Sequence, residues 1–77
     1  MPPFPSMKAK RLFAILTREP LNYRVARQRG SHRTLMAFGR PTFTFAYHDR
    51  EDLSPGEVRT ILVKRVGLDE REALDLL

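Results

Sequence analysis

The chain has 77 residues, room for one small domain but not for a second core. It has no cysteine, which excludes a disulfide framework and a thiolate nucleophile and fits a reducing, cytoplasmic setting. The net charge is +5, and the longest apolar run, Leu12 to Leu16, is far short of the ~20 residues of a membrane span, so neither a membrane segment nor a signal peptide is expected.

The opening MPPFPS is proline-rich and reads as an irregular or disordered arm over residues 1–6, with residues 7–77 forming the single domain. Lys8 to Arg18 reads as an amphipathic helix with Leu12, Ile15 and Leu16 at i, i+3 and i+4, Ser6 as its cap and Pro20 as its stop. Tyr23 to Arg29 follows as a strand. Gly30-Ser31 then separates two extended runs, and glycine at the first central position suits a type II′ hairpin turn. His32 to Phe38 is the second strand, broken by Gly39-Arg40-Pro41. Thr42 to Tyr47 is the third, with Phe43, Phe45 and Tyr47 on one face and Thr42, Thr44 and Ala46 on the other.

After a polar loop, Ser54-Pro55-Gly56-Glu57 combines an N-cap, a proline at the first helical position and a capping-box glutamate. Val58, Ile61, Leu62 and Val66 form that helix's apolar stripe, and Gly67 is its left-handed stop. Asp69 and Glu72 repeat the capping-box pattern and open a short last helix bearing Leu74 and Leu77. The order is α-β-β-β-α plus a tail helix. This is an α+β domain: a three-stranded antiparallel sheet with two helices on one face, the other face left to solvent or a ligand. Phe43, Phe45 and Tyr47 are expected to pack under those helices; a base-stacking platform is the alternative for the same three rings.

Charge divides the chain. Residues 8–33 carry eight Lys or Arg against one acid, Glu19, whereas residues 49–77 carry eight acids against five bases. Eleven of the fourteen bases are arginine, the side chain suited to bidentate contact with phosphate. A basic half of this kind is the footprint of a nucleic-acid binder or a solvated basic surface.

No metal-ligand spacing, P-loop or dinucleotide fingerprint occurs, and no cofactor is expected. Ser31 and His32 are adjacent, and neighbours on a strand point to opposite faces, which argues against a serine-hydrolase dyad. RNA, however, carries its own nucleophile in the 2′-OH. Cleaving it requires a base, an acid and cations for the phosphorane charge. Histidine, with an ordinary pKa of ~6.5, can be base or acid near neutral pH. In this reading His32 is the catalytic candidate, Arg27, Arg29 and Arg33 hold phosphates, Gly30 lets the backbone approach the strand, and Ser31 either completes the turn or holds a phosphate. His48 is a polar strand-end residue or a supporting group. The bland alternative is a hairpin turn with a surface histidine.

The stretch YRVARQRGSHRTL resembles the signature of the HicA family of mRNA interferase toxins, in which an aromatic-basic first strand is followed by Gly-Ser-His. FTFAYHDREDLSPGEVRTILVKRVGL is similar to the family's third strand, its histidine, its Pro-Gly helix start and its closing Gly-Leu. The resemblance covers roughly residues 7–77. It departs at Asn22, where relatives often have glycine, and at Arg33, where many have a second histidine or another bulky residue. It implies a fold like that of double-stranded-RNA-binding domains and the role of toxin in a type II toxin–antitoxin system. It also implies a metal-free endoribonuclease acting on mRNA through His32, and a HicB-type antitoxin as partner. Two rival functions stay open: a non-catalytic RNA-binding module of the same fold, and a protein-interaction domain with no nucleic-acid role.

Overall fold

The computed structural model describes residues 3–77; Met1 and Pro2 of the expected arm lie outside them. The order is β1 (Met7–Lys8), α1 (Ala9–Thr17), β2 (Arg24–Arg29), β3 (His32–Ala37), β4 (Arg40–Phe45), β5 (Asp52–Leu53), α2 (Pro55–Arg59), a π-wound continuation (Thr60–Arg65) and α3 (Glu70–Asp75). Strands β2, β3 and β4 form an antiparallel sheet in that order. The fold is α+β, with helices on one face of the sheet, as in double-stranded-RNA-binding domains.

The core lies between that face and the helices. Leu35, Phe43 and Phe45 from the sheet meet Leu12, Leu16, Val58 and Leu62 from the helices, all of them buried. Tyr47 is half-buried at the edge and packs edge-on against Phe45 with centroids 5.2 Å apart. Tyr23 meets Phe43 in the same manner at 5.2 Å and donates its hydroxyl to the Pro41 carbonyl at 2.7 Å. Phe43 and Phe45 of β4 and Tyr47 just past its end therefore belong to the core side, not to a stacking platform on the open face.

The amino-terminal expectation needs correction on two points. Phe4 is buried in the core, so the proline-flanked segment is irregular, one of the two forms expected, but packed against the domain rather than disordered. Ser6 does not cap α1, which starts after Lys8 without a side-chain cap. Its first orphan amides are met by the loop that precedes β5: Ala9 N–H donates to the Glu51 carbonyl at 2.8 Å and Lys10 N–H to that of Asp49 at 3.1 Å. The small ribbon β1–β5, with Met7 opposite Leu53, brings that loop into place. A two-residue strand has no sequence periodicity, so the ribbon has no signature in the sequence.

The carboxyl-terminal half follows its local chemistry. Ser54 and Glu57 form a reciprocal capping box, and so do Asp69 and Glu72. The last turn before Gly67 is wide: Val66 N–H reaches the Ile61 carbonyl at 3.0 Å and Leu68 N–H that of Leu62 at 3.1 Å. Gly67, at φ +88°, makes the left-handed reversal that returns Leu68 to the core.

Candidate active site on the open face of the sheet

The strand register decides which side chains meet. Residues directly opposite each other in a sheet share a face. Arg29 pairs with His32, and Arg27 pairs with Thr34, which in turn pairs with Thr44. These are two neighbouring rungs on the face the helices leave uncovered. Arg27, Arg29, His32, Thr34 and Thr44 line one shallow depression of about 310 Å³. From Pro20 to His48 the chain has no Asp or Glu, so no carboxylate of the sheet opposes an incoming anion.

A bulge creates this arrangement. Val25 pairs with Leu35 but Arg27 with Thr34, so Ala26 is an extra residue in β2. Plain alternation from the buried Tyr23 would put Val25, Arg27 and Arg29 together on the helix side. The extra residue resets the phase and turns Arg27 and Arg29 outward beside His32.

The hairpin turn holds the upper rung. Gly30 sits at φ +61° while Ser31 is not in the left-handed region, the pattern of a type II′ turn. A Cβ on Gly30 would meet nothing within 4 Å, so glycine is required by the backbone angle and not by crowding. Gln28 Nε2 donates to the Gly30 carbonyl at 3.1 Å and further closes the turn. Gly30 and Ser31 border the depression without lining it.

Arg33 is not brought to this cluster, contrary to its expected place among the phosphate-holding arginines. It follows His32 on the strand and therefore points to the other face. There it pairs with Gln28 and Phe45 in register, its guanidinium carbon lies 4.5 Å from the Phe13 ring centroid, and Nη2 donates to Asp49 Oδ1 at 2.9 Å. Its Nε is buried without a hydrogen-bond acceptor. The same alternation that separates Ser31 from His32 carries this placement in the sequence itself. It also puts Thr34 with His32, a site residue that the sequence-based set lacked. Thr44 is legible as the open-face partner of the Phe43–Phe45 alternation.

His48 is exposed in the loop after β4, where its backbone N–H donates to Glu51 Oε1 at 2.8 Å; it does not line the depression. Burial raises the Tyr23 phenol pKa, and burial followed by the Glu57 carboxylate raises that of Tyr47. Both rings belong to the core side.

A family model described as "HicA toxin of bacterial toxin-antitoxin" matches residues 9–68, which include both rungs and the turn. The chain belongs to the HicA toxin family. No curated protein and no solved structure matches it. As a HicA-family chain it is the toxin of a toxin–antitoxin pair and has an antitoxin as partner. Among the described residues no helix is long and apolar enough to cross a membrane, and no group of three His, Cys, Asp or Glu side chains is clustered for a metal ion. Asn22, just before the first-strand aromatic Tyr23, stands at φ +54°. Asparagine is among the few residues that tolerate this left-handed conformation.

Proposed function

We propose that this HicA-family toxin is a metal-independent endoribonuclease that binds mRNA across the open face of the sheet, and that a HicB-type antitoxin inhibits it by covering that face. The observation that supports this best is the convergence of one imidazole, two guanidiniums and two hydroxyls on an acid-free surface. His32 takes the proton of a ribose 2′-OH. The freed oxygen attacks the adjacent phosphorus, and the bond to the 5′-oxygen breaks. The depression is shallow and holds a single imidazole, so the departing oxygen receives its proton through solvent. The products are a 2′,3′-cyclic phosphate and a 5′-hydroxyl. Arg27 and Arg29 hold the scissile phosphate and offset the charge that builds on its oxygens, the task for which a metal would otherwise serve. Thr34 and Thr44 donate to the same phosphate oxygens. Arg33 is left out, since Asp49 and Phe13 already engage it.

The test is cleavage of one labelled RNA by wild type and His32→Ala in EDTA, with circular dichroism on both. His32 is exposed, so its removal leaves the fold intact. Loss of a general base lowers the rate by ~10²–10⁴, which a gel registers as near silence. Equal cutting by two folded proteins removes His32 from the mechanism. RNA binding without cutting by wild type leaves the non-catalytic RNA-binding module as the better reading.

A further inference from the structure

The open face continues past the His32 depression. The next rung is Arg24 paired with Met36, and beyond it the β3–β4 turn carries Phe38. Phe38 is 105% exposed, a phenylalanine with no neighbour covering its ring. With Arg24, Met36 and Ala37 it lines a second depression of about 260 Å³. The fold does not need this ring: it contributes nothing to the core, and exposing it to water is unfavourable. Nor does it form part of an apolar patch large enough for a protein partner. Of the large hydrophobics exposed among the described residues, Val25 pairs with Leu35 on the helix side, which leaves Met36 and Phe38 on this face. Two side chains fall far short of the ~800 Å² that each partner contributes to a specific protein interface.

We propose that Phe38 is a stacking site for one unpaired base of the bound RNA, with Met36 lining the same depression and Arg24 holding a phosphate of the same strand. A single ring open to solvent matches the planar face of a base, and every base has one, so the site recognises unpaired strand rather than sequence. Arg24 supplies the adjacent cation on a sheet without carboxylates. Met36 is four residues from His32 along β3, ~13 Å at ~3.3 Å per residue. The stacked base therefore belongs to a nucleotide other than the one cut, and the site sets how the strand lies across His32. The inference rests on the RNA reading above.

The experiment uses the full chain in the His32→Ala background, so that the RNA stays whole, and measures fluorescence anisotropy with two labelled strands. One is an ordinary unstructured RNA; the other has the same length and an abasic ribose-phosphate backbone. Phe38→Ala is expected to weaken the base-bearing strand by ~5- to 150-fold, the range of one base–aromatic stack, and to leave the abasic strand unchanged. Phe38→Trp restores or tightens binding of the base-bearing strand. Arg24→Ala weakens both strands and lowers the steepness of the salt dependence. Equal effects of Phe38→Ala on the two strands, or no effect on either while the parent binds RNA, overturn the stacking site and leave the RNA reading standing. Unchanged RNA binding with Phe38→Ala dissociating a self-associated parent in sedimentation overturns it in favour of a second copy of the chain. A parent that binds neither strand at low salt sinks the RNA reading and the stacking site together.

Discussion

Arg33 and Arg27 have the same side chain and opposite surroundings. Arg33 is sandwiched between Phe13 and Asp49 with its side chain 15% exposed, whereas Arg27 is open to water on the other face. Asp49 is half-exposed, so most of the Arg33 contribution comes from its packing on the ring and from its buried stem. Arg33→Ala is expected to lower stability by about 1–2 kcal/mol while leaving the salt dependence of RNA binding unchanged. Arg27→Ala should do the reverse: no shift of the urea midpoint, and a log–log salt slope reduced by about 0.7–0.9, the value for one fewer phosphate neutralised. Urea titration of both variants and RNA titration against KCl make the comparison. A slope change in Arg33→Ala with an unmoved midpoint would return that residue to the phosphate-binding group.

At the scale of elements, the β2–β3 hairpin carries the proposed chemistry and the β4 rings carry the packing. The hairpin is short, its strand β2 is exposed throughout, and the alignment of Arg29 with His32 depends on the two-residue turn between them. Gly30→Ala places a Cβ at φ +61°, a conformation that costs an L-residue about 1–2 kcal/mol. The Cβ has open space around it, so relief comes from distortion of the turn and not from movement of neighbours. Cleavage should therefore fall more in Gly30→Ala than in Ser31→Ala, with thermal unfolding lowered only in the glycine variant. Equal activities for the two variants would mean that the turn does not position His32.

For the whole molecule, the distribution of charge separates two surfaces. Strands β2, β3 and β4 carry Arg24, Arg27, Arg29, Arg33 and Arg40 and no acid, while the eight acids of residues 49–77 lie in the loops, the short strand β5 and the helices that follow. An antitoxin that covers the open face must bring negative charge to Arg27 and Arg29. Association should then be fast at low ionic strength and slow steeply with added salt, dissociation changing less. Stopped-flow mixing of toxin and antitoxin over a range of KCl concentrations measures both rates. A stable inhibited complex in which His32, Arg27 and Arg29 remain open to solvent would show that inhibition works elsewhere.

Local chemistry was legible in the sequence wherever one segment contains its own cause. The capping boxes at Ser54 and Asp69, the stop at Gly67, the turn at Gly30-Ser31 and the aromatic face of β4 each depend on residues within a few positions of one another. The candidate histidine and the acid-free sheet were equally visible. Strand phase was not. Whether Arg27 and Arg29 join His32 or turn toward the helices depends on Ala26 being extra in the pairing with β3, and pairing is a relation between strands that neither strand specifies alone. The burial of Phe4 and the ribbon of Met7–Lys8 with Asp52–Leu53 likewise join segments far apart in the chain. The types of side chain available to the site were set by sequence; the face on which they meet was set by the packing of Tyr23, Leu35 and Phe43 against the helices.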